Sequence, residues 1–197
     1  MNISVKTVKP ENCAMVFGIP TTKAQFFDNF RNSEKDFVRH FKGGWAQYYN
    51  QIVSNSDRIL PVLSEFGVTV IQKIDPESFS KLFRESIYDV IILFSHWHND
   101  TIELSDHLYN ISNIVDAIPY EFNGILDLCV CHPENLTILL RRDRPNCLTR
   151  YTQQKATPYI WLHFYLVLFK NLMERELTYL QALEITIDAF LHNKGKS

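Results

Sequence analysis

The chain has 197 residues, and 46% of them are hydrophobic. A chain of this length and composition buries a substantial core, which excludes an intrinsically disordered protein. Twenty basic and 22 acidic residues give a net charge of −2, so the sequence lacks the basic excess typical of nucleic-acid-binding proteins.

The start of the chain and its longest apolar run bear on the expected compartment. The opening residues, MNISVK, contain no apolar segment of the kind found in export signals. The run over residues 159–169 is interrupted by His163 and is shorter than the roughly 20 residues that span a bilayer. The four cysteines lack CxxC spacing, which favours free thiols. We therefore expect one cytoplasmic domain over residues 1–197, with neither a membrane nor a nucleic acid as partner.

The first half of the chain alternates short apolar runs with helical patterns. The apolar runs predict strands over residues 13–18, 68–74 and 89–94. Apolar side chains at three- and four-residue spacing predict a helix from residue 23 to about residue 41, capped by Thr21 or Thr22. A second helix is predicted over residues 45–66, kinked or divided at Pro61, and a third begins at Pro76.

The second half continues the alternation after a polar loop at residues 95–100. The pattern predicts a short segment over residues 101–104, a helix over 112–118, a strand over 124–131 and a further strand over 137–141. Pro158 opens a long apolar helix, and a T-x-x-Q capping box at Thr178 precedes the last helix. Apolar strands alternating with helices predict an α/β fold with a mostly parallel sheet covered on both faces.

Reactive side chains follow two of the predicted strands. The strand ending at residue 94 leads into His96, and the strand over residues 124–131 ends at Cys131. Ligands and chemistry collect beyond the carboxyl ends of the strands in an open parallel sheet. A His and a Cys at two such ends can lie within side-chain reach, which a nucleophilic thiol with a base nearby requires. In that chemistry the imidazole stabilises the attacking thiolate and later protonates the leaving amine. The alternative is a buried thiol and a core histidine, each with an ordinary structural role.

Several segments, taken in order, resemble caspase-like cysteine peptidases of the CHAT branch, the group that links caspases and separase. Residues 92–96, ILFSH, resemble the strand that ends in the family's histidine. Residues 101–106, TIELSD, are similar to its "LSD" segment, and residues 128–131, LCVC, resemble its L-S-A-C segment. The tail, with PYIWL at 158–162 and YLQALE at 179–184, is similar as well.

The resemblance implies a caspase-like three-layer α/β/α sandwich and a His-Cys dyad endopeptidase. His96 would be the base, Cys131 the nucleophile, and the backbone N–H groups of Trp97 and Cys131 the oxyanion hole. No metal or cofactor is implied. The partners would be a specific protein substrate and a separate activator or regulator, in regulated proteolysis such as bacterial cell death or defence.

Three further side chains bear on the site. Cys129 shares a strand face with Cys131, so the pleat does not distinguish the two thiols; the L-S-A-C segment and the strand end favour Cys131. Asp127, on the same face, is interpreted either as a buried charge with an Arg or His partner or as an acidic floor for a basic P1 side chain. Asp106, in the LSD-like segment, is the rival for that substrate-binding role, with a loop or cap function as its alternative. The arginines at 141, 142, 144 and 150 are interpreted as a solvated loop, with a basic surface for an acidic partner as the alternative.

Two alternative functions remain open. Trp97 stands where the family has glycine, and Pro133, which has no amide hydrogen, follows soon after the nucleophile. These departures are typical of an inactive caspase-like module that binds a partner through the same crevice. In the second alternative, His96, His98 and Asp100 form an H-x-H-x-D segment that binds a metal and activates water.

Overall fold

The computed structural model of the chain describes residues 6–30, 44–85, 87–105, 107–151 and 158–193. The strands are β1 Cys13–Phe17, β2 Thr69–Gln72, β3 Val90–Phe94, β4 Trp97–His98, β5 Thr101–Leu104, β6 His107–Asn110, β7 Ile125–Cys129 and β8 Leu148–Tyr151. The helices are α1 Lys23–Phe30, α2 Gly44–Glu65, α3 Pro76–Arg84, α4 Ile111–Ala117, α5 Glu134–Asp143, α6 Pro158–Glu174 and α7 Tyr179–Asn193.

The central sheet has five strands in the order β2-β1-β3-β7-β8, and every neighbouring pair is parallel. A smaller antiparallel sheet, in the order β4-β5-β6, follows β3 in the chain. The predicted α/β class with a mostly parallel sheet is therefore confirmed. The strand order places β3 between β1 and β7, so the two strands whose ends carry His96 and Cys131 are hydrogen-bonded neighbours.

Alternate side chains of the central strands enter two separate apolar cores. On one face, Met15, Ile92 and Cys129 pack with residues of α2, α6 and α7. On the other, Leu93 and Leu128 pack with residues of α3, α4, α5 and β5. The central strands β1, β3 and β7 are buried along their whole length, which explains why each appears in the sequence as a continuous apolar run. The three-layer arrangement is compatible with a caspase-like sandwich.

Capping side chains fix where several helices begin. The amide of Gln25 donates to Thr22 Oγ1, and the amide of Thr22 donates to the Gln25 side chain in return. Thr178 and Gln181 exchange the same pair of bonds before α7, which confirms the predicted T-x-x-Q box. Helix α2 continues through Pro61, so the predicted division there is wrong.

Three predictions along the second half of the chain are corrected by the structure. Residues 137–141 lie in α5, not in a strand, and Thr137 Oγ1 bonds the Pro133 carbonyl at the start of that helix. The fifth strand of the sheet is β8, which the sequence analysis missed. The predicted polar loop at residues 95–100 contains β4, which pairs with β5. The part of the predicted first helix beyond residue 30 lies outside the described residues.

None of the described helices has the length and apolar character to cross a bilayer.

Alkaline pH is expected to destabilise the fold through its buried thiols. Burial raises the pKa of Cys147 from 9.0 to about 11. Because the folded pKa lies above the unfolded one, this contribution is fully present below pH 9.0 and is lost as pH rises toward about 11. At about pH 10.5 the loss from this thiol is about 2 kcal/mol. Urea unfolding of wild type and Cys147→Ala at about pH 8 and about pH 10.5 should show a smaller pH-dependent loss in the variant; equal losses would contradict the assignment.

Candidate active site

The register of β3 and β7 places His96 and Cys131 at corresponding positions. Phe94 pairs with Cys129 at the last rung of the parallel ladder, and the Ser95 amide donates to the Cys129 carbonyl at 3.4 Å. His96 lies two residues beyond Phe94, and Cys131 lies two residues beyond Cys129. Neighbouring strands lie roughly 4.8 Å apart. The carboxyl ends of these two strands therefore bring the imidazole-bearing and thiol-bearing segments to one edge of the sheet.

The histidine segment leads directly into a tight hairpin. Strands β4 and β5 are joined by Asn99 and Asp100, whose φ values of 46° and 59° are both positive, as a type I′ turn requires. In such a hairpin the residues that flank the turn, His98 and Thr101, form a hydrogen-bonded pair. Hydrogen-bonded and non-hydrogen-bonded pairs then alternate along the ladder.

This alternation fixes the direction of the Trp97 amide. Trp97 pairs with Ile102 as a non-hydrogen-bonded pair, and the next bond runs from the Glu103 amide to the His96 carbonyl at 3.2 Å. The Trp97 N–H therefore points away from β5, on the outer side of a strand at the edge of its sheet. Trp97 has no positive φ, so its extended backbone does not require glycine.

The cysteine segment turns sharply after β7. The strand ends at Cys129, and His132 adopts a φ of 55°, which is uncommon for a residue other than glycine. Pro133 is the residue before α5, with a φ of −84°, and its carbonyl accepts hydrogen bonds from the amide and hydroxyl of Thr137. Proline fits this position because its φ is compatible and the amide that it lacks is not needed for the helix.

A side-chain hydrogen bond joins the hairpin to the cysteine segment. Asn135, the second residue of α5, donates through Nδ2 to Asp100 Oδ1 at 2.9 Å. The Asp100 carbonyl also accepts from the Ile111 amide, which fixes the turn to the start of α4. The turn at the end of β4 and the helix that follows Cys131 are therefore in direct contact.

Close packing beneath the hairpin depends on a glycine at the end of β1. A Cβ atom added to Gly18 would lie 2.1 Å from the Glu103 carbonyl oxygen and 3.2 Å from Ser95 Oγ. Ser95 Oγ in turn donates to the Glu103 carbonyl at 2.5 Å. The ends of β1 and β3 and the backbone of β5 are thus closely packed directly before His96.

The four cysteines all lie within the described residues, and they differ in exposure. Cys131 is exposed, whereas Cys13, Cys129 and Cys147 are buried. Cys129 Sγ lies 3.0 Å from the Tyr165 hydroxyl, and burial raises the pKa of its thiol well above the ordinary value. Burial also raises the pKa of Cys13. Of the two thiols that the pleat did not distinguish, Cys131 is therefore the accessible one.

Asp127 is fully buried in β7 and has partners for both carboxylate oxygens. Arg150 Nη1 donates to Oδ1 at 2.8 Å, and the Tyr179 hydroxyl donates to Oδ2 at 2.7 Å. The interpretation of Asp127 as a buried charge with an arginine partner is confirmed. Arg150 belongs to β8, and Arg141 and Arg142 belong to α5, so the predicted solvated arginine loop is wrong at these three residues. Asp106 lies outside the described residues.

The metal-binding alternative gains no support from the described residues. Within them, no three His, Cys, Asp or Glu side chains converge as a metal site would require, and this holds for His96, His98 and Asp100. The Asp100 carboxylate instead accepts the hydrogen bond from Asn135.

Sequence reasoning missed two contributors to this edge of the sheet. Gly18 follows an apolar run, and that position alone is a weak signal for a close backbone contact. Asn135 carries no signal, because its partner lies 35 positions earlier in the chain. By contrast, His96 follows β3 as predicted. Cys131 lies two residues beyond the end of β7, which is shorter than predicted, and Trp97 lies in β4 and not in a loop.

Comparison with known proteins adds no family to these observations. No protein-family model matches the chain, and no curated protein matches it significantly. The resemblance to caspase-like peptidases therefore rests on the residues of this chain.

Proposed function

We propose that the protein is a cysteine endopeptidase with His96 and Cys131 as its catalytic dyad. The observation that carries the proposal is the pairing of Phe94 with Cys129, which puts His96 and Cys131 two residues beyond the same rung of a parallel ladder. Cys131 is exposed, whereas the other three cysteines are buried, and this difference supports its assignment as nucleophile.

The proposed reaction is acyl transfer through a thioester. His96 takes the proton of the Cys131 thiol, the thiolate Sγ attacks the carbonyl carbon of the scissile peptide bond, and the carbonyl oxygen becomes an oxyanion. The outward amide of Trp97 and the amide of Cys131 are the proposed donors to that oxyanion. As the C–N bond breaks, His96 donates a proton to the leaving amine. Water, deprotonated by His96, then hydrolyses the thioester and restores the thiol.

The contacts of Asp127 argue against a role as the acidic floor of a substrate pocket. Its two oxygens already accept from Arg150 and Tyr179, and the side chain has no exposed surface. A basic P1 side chain would have to displace the Arg150 guanidinium from a buried ion pair. The proposal therefore includes no preference for a basic P1 residue at Asp127. Its other parts are a protein substrate, a separate regulator protein and a cytoplasmic location.

Selective alkylation of Cys131 tests the dyad without a known substrate. Brief exposure to a low concentration of iodoacetamide at about pH 7, followed by peptide mapping, is expected to label Cys131 at least about tenfold faster than the other thiols. His96→Ala should slow the labelling of Cys131, because the thiolate loses its imidazole partner.

A matched variant controls for the second imidazole beside the nucleophile. His132 is adjacent to Cys131 and has a positive φ, which asparagine also tolerates. His132→Asn should therefore leave the labelling rate close to that of wild type. Labelling that ignores His96, or that falls equally in His132→Asn, would overturn the dyad and favour the inactive binding module.

A further inference from the structure

Two hydrogen bonds join the segment that contains His96 to the segment that contains Cys131, one before the proposed dyad residues in the chain and one after them. The first joins Ser95, one residue before His96, to the carbonyl of Cys129, two residues before Cys131. The second joins Asp100, four residues after His96, to Asn135, four residues after Cys131. The histidine and the cysteine each lie between the same two cross-links.

The segments between these cross-links are themselves held by local hydrogen bonds. The Glu103 amide holds the His96 carbonyl, and the Ile111 amide holds the Asp100 carbonyl. On the other side, the amide and hydroxyl of Thr137 hold the Pro133 carbonyl at the start of α5. Each segment is therefore fixed to its own neighbours. The Asp100–Asn135 bond joins the histidine segment to the cysteine segment at the end farther from the β3–β7 ladder.

We infer that Asp100 and Asn135 are positioning residues, which hold the hairpin that follows His96 against the helix that follows Cys131. The inference rests on the proposed dyad, because it assigns the pair a role in the alignment of that dyad. A dyad works only if thiol and imidazole stay within hydrogen-bond reach of one another. Loss of the bond lets the two segments separate, and fewer molecules then hold the thiol and imidazole in register.

Four variants test the pair by the His96-dependent labelling of Cys131 with iodoacetamide. Asn135→Ala removes the donor without added charge and should slow labelling about three- to tenfold, the loss expected from one hydrogen bond. Asn135→Asp should slow it as well, because two carboxylates then face each other. Asp100→Asn keeps an acceptor oxygen and should label at close to the wild-type rate. The exchanged pair, Asn135→Asp with Asp100→Asn, restores a donor and an acceptor and should recover the rate.

The pattern separates the hydrogen bond from two simpler explanations. An effect of charge alone would leave Asn135→Ala unchanged and make Asp100→Asn faster than wild type. A general loss of stability would lower the melting temperature and would not be rescued by the exchanged pair. Asn146→Ala is the matched control, since Asn146 donates to the Tyr120 carbonyl at the opposite, amino end of the sheet; it should label like wild type.

Two outcomes would overturn the inference, and neither is confused with failure of the dyad. If His96→Ala slows labelling but Asn135→Ala does not, the dyad stands and the positioning role is wrong. If the exchanged pair stays as slow as Asn135→Asp, the hydrogen bond is not what aligns the segments. If wild-type labelling does not depend on His96 at all, the proposed function itself fails.

Discussion

Replacement of Arg150 by methionine is expected to lower the free energy of unfolding by about 3–5 kcal/mol. The guanidinium lies 2.8 Å from the fully buried carboxylate of Asp127, whose other oxygen accepts from the Tyr179 hydroxyl. Without the guanidinium, the carboxylate is left buried with only a neutral donor. Removal of one partner of a buried pair is far more destabilising than the net contribution of the pair, because the remaining charge is uncompensated.

Methionine is the substitution that isolates the charge. The Arg150 guanidinium carbon lies 5.5 Å from the centre of the Trp161 ring and 5.6 Å from that of Phe164. A methionine side chain retains much of the apolar contact with these rings, so the loss of packing is small compared with the loss of the ion pair.

Arg142→Met is the control for this substitution. Arg142 also forms an ion pair, with Asp143, but its side chain is exposed on α5. Exposed ion pairs contribute little, so this variant should unfold at nearly the same urea concentration as wild type. Urea unfolding at about pH 7 in reducing buffer compares the two, and equal losses would contradict the buried network as a main source of stability.

Replacement of Gly18 by alanine is expected to disturb both the fold and the proposed site. The added methyl group would lie 2.1 Å from the Glu103 carbonyl oxygen, which is a backbone atom. The end of β1 or β5 must therefore shift, at a cost of about 3 kcal/mol or more. Since Ser95 Oγ bonds the same carbonyl, the shift reaches the residue before His96. Alanine at this position should therefore reduce both urea stability and the His96-dependent labelling of Cys131.

Gly67→Ala distinguishes these two effects. Gly67 has a φ of 96°, so alanine is strained there, but the nearest atom to its Cβ would be 3.6 Å away. The cost is about 1–2 kcal/mol from backbone conformation, and the position lies at the amino end of β2, away from the proposed dyad. Gly67→Ala should lower stability and leave Cys131 labelling intact. A loss of labelling in both variants would mean that the assay reports only general destabilisation.

The central strands were predictable from the sequence because the burial of each strand determines its residues within one short stretch of chain. A parallel strand buried on both faces needs an apolar side chain at nearly every position, and VIILF in β3 meets that requirement. Asp127 in β7 is the exception, and the prediction of an Arg or His partner followed from the penalty of an unpaired buried charge. The end of β3, and hence the place of His96, followed directly, whereas β7 ends at Cys129, two residues before its predicted end at Cys131.

Other elements depend on contacts that no local pattern contains. Strand β8 is a partly exposed edge strand, and it includes Arg150, whose guanidinium pairs with the buried Asp127, 23 positions earlier, on the neighbouring strand. The run at residues 137–140 is equally compatible with a strand or a helix, and Leu136, Thr137 and Leu140 are buried at helical spacing. The antiparallel pairing of β4 with β5 needed the left-handed backbone of two residues, neither of which is glycine.

The residues with positive φ gather at the same edge of the molecule as the proposed chemistry. In the described part of the chain, the non-glycine residues with this backbone are Lys73, Asn99, Asp100, Ser105 and His132. Each follows a strand end, and Ser105 bonds the Lys73 carbonyl across the gap between two of the loops. A backbone held in this region raises the energy of the folded state by about 1 kcal/mol or more for each residue. Directed evolution for thermal stability should therefore find glycine or asparagine at Lys73, because this substitution relieves strain and keeps both the carbonyl that Ser105 bonds and the two members of the dyad.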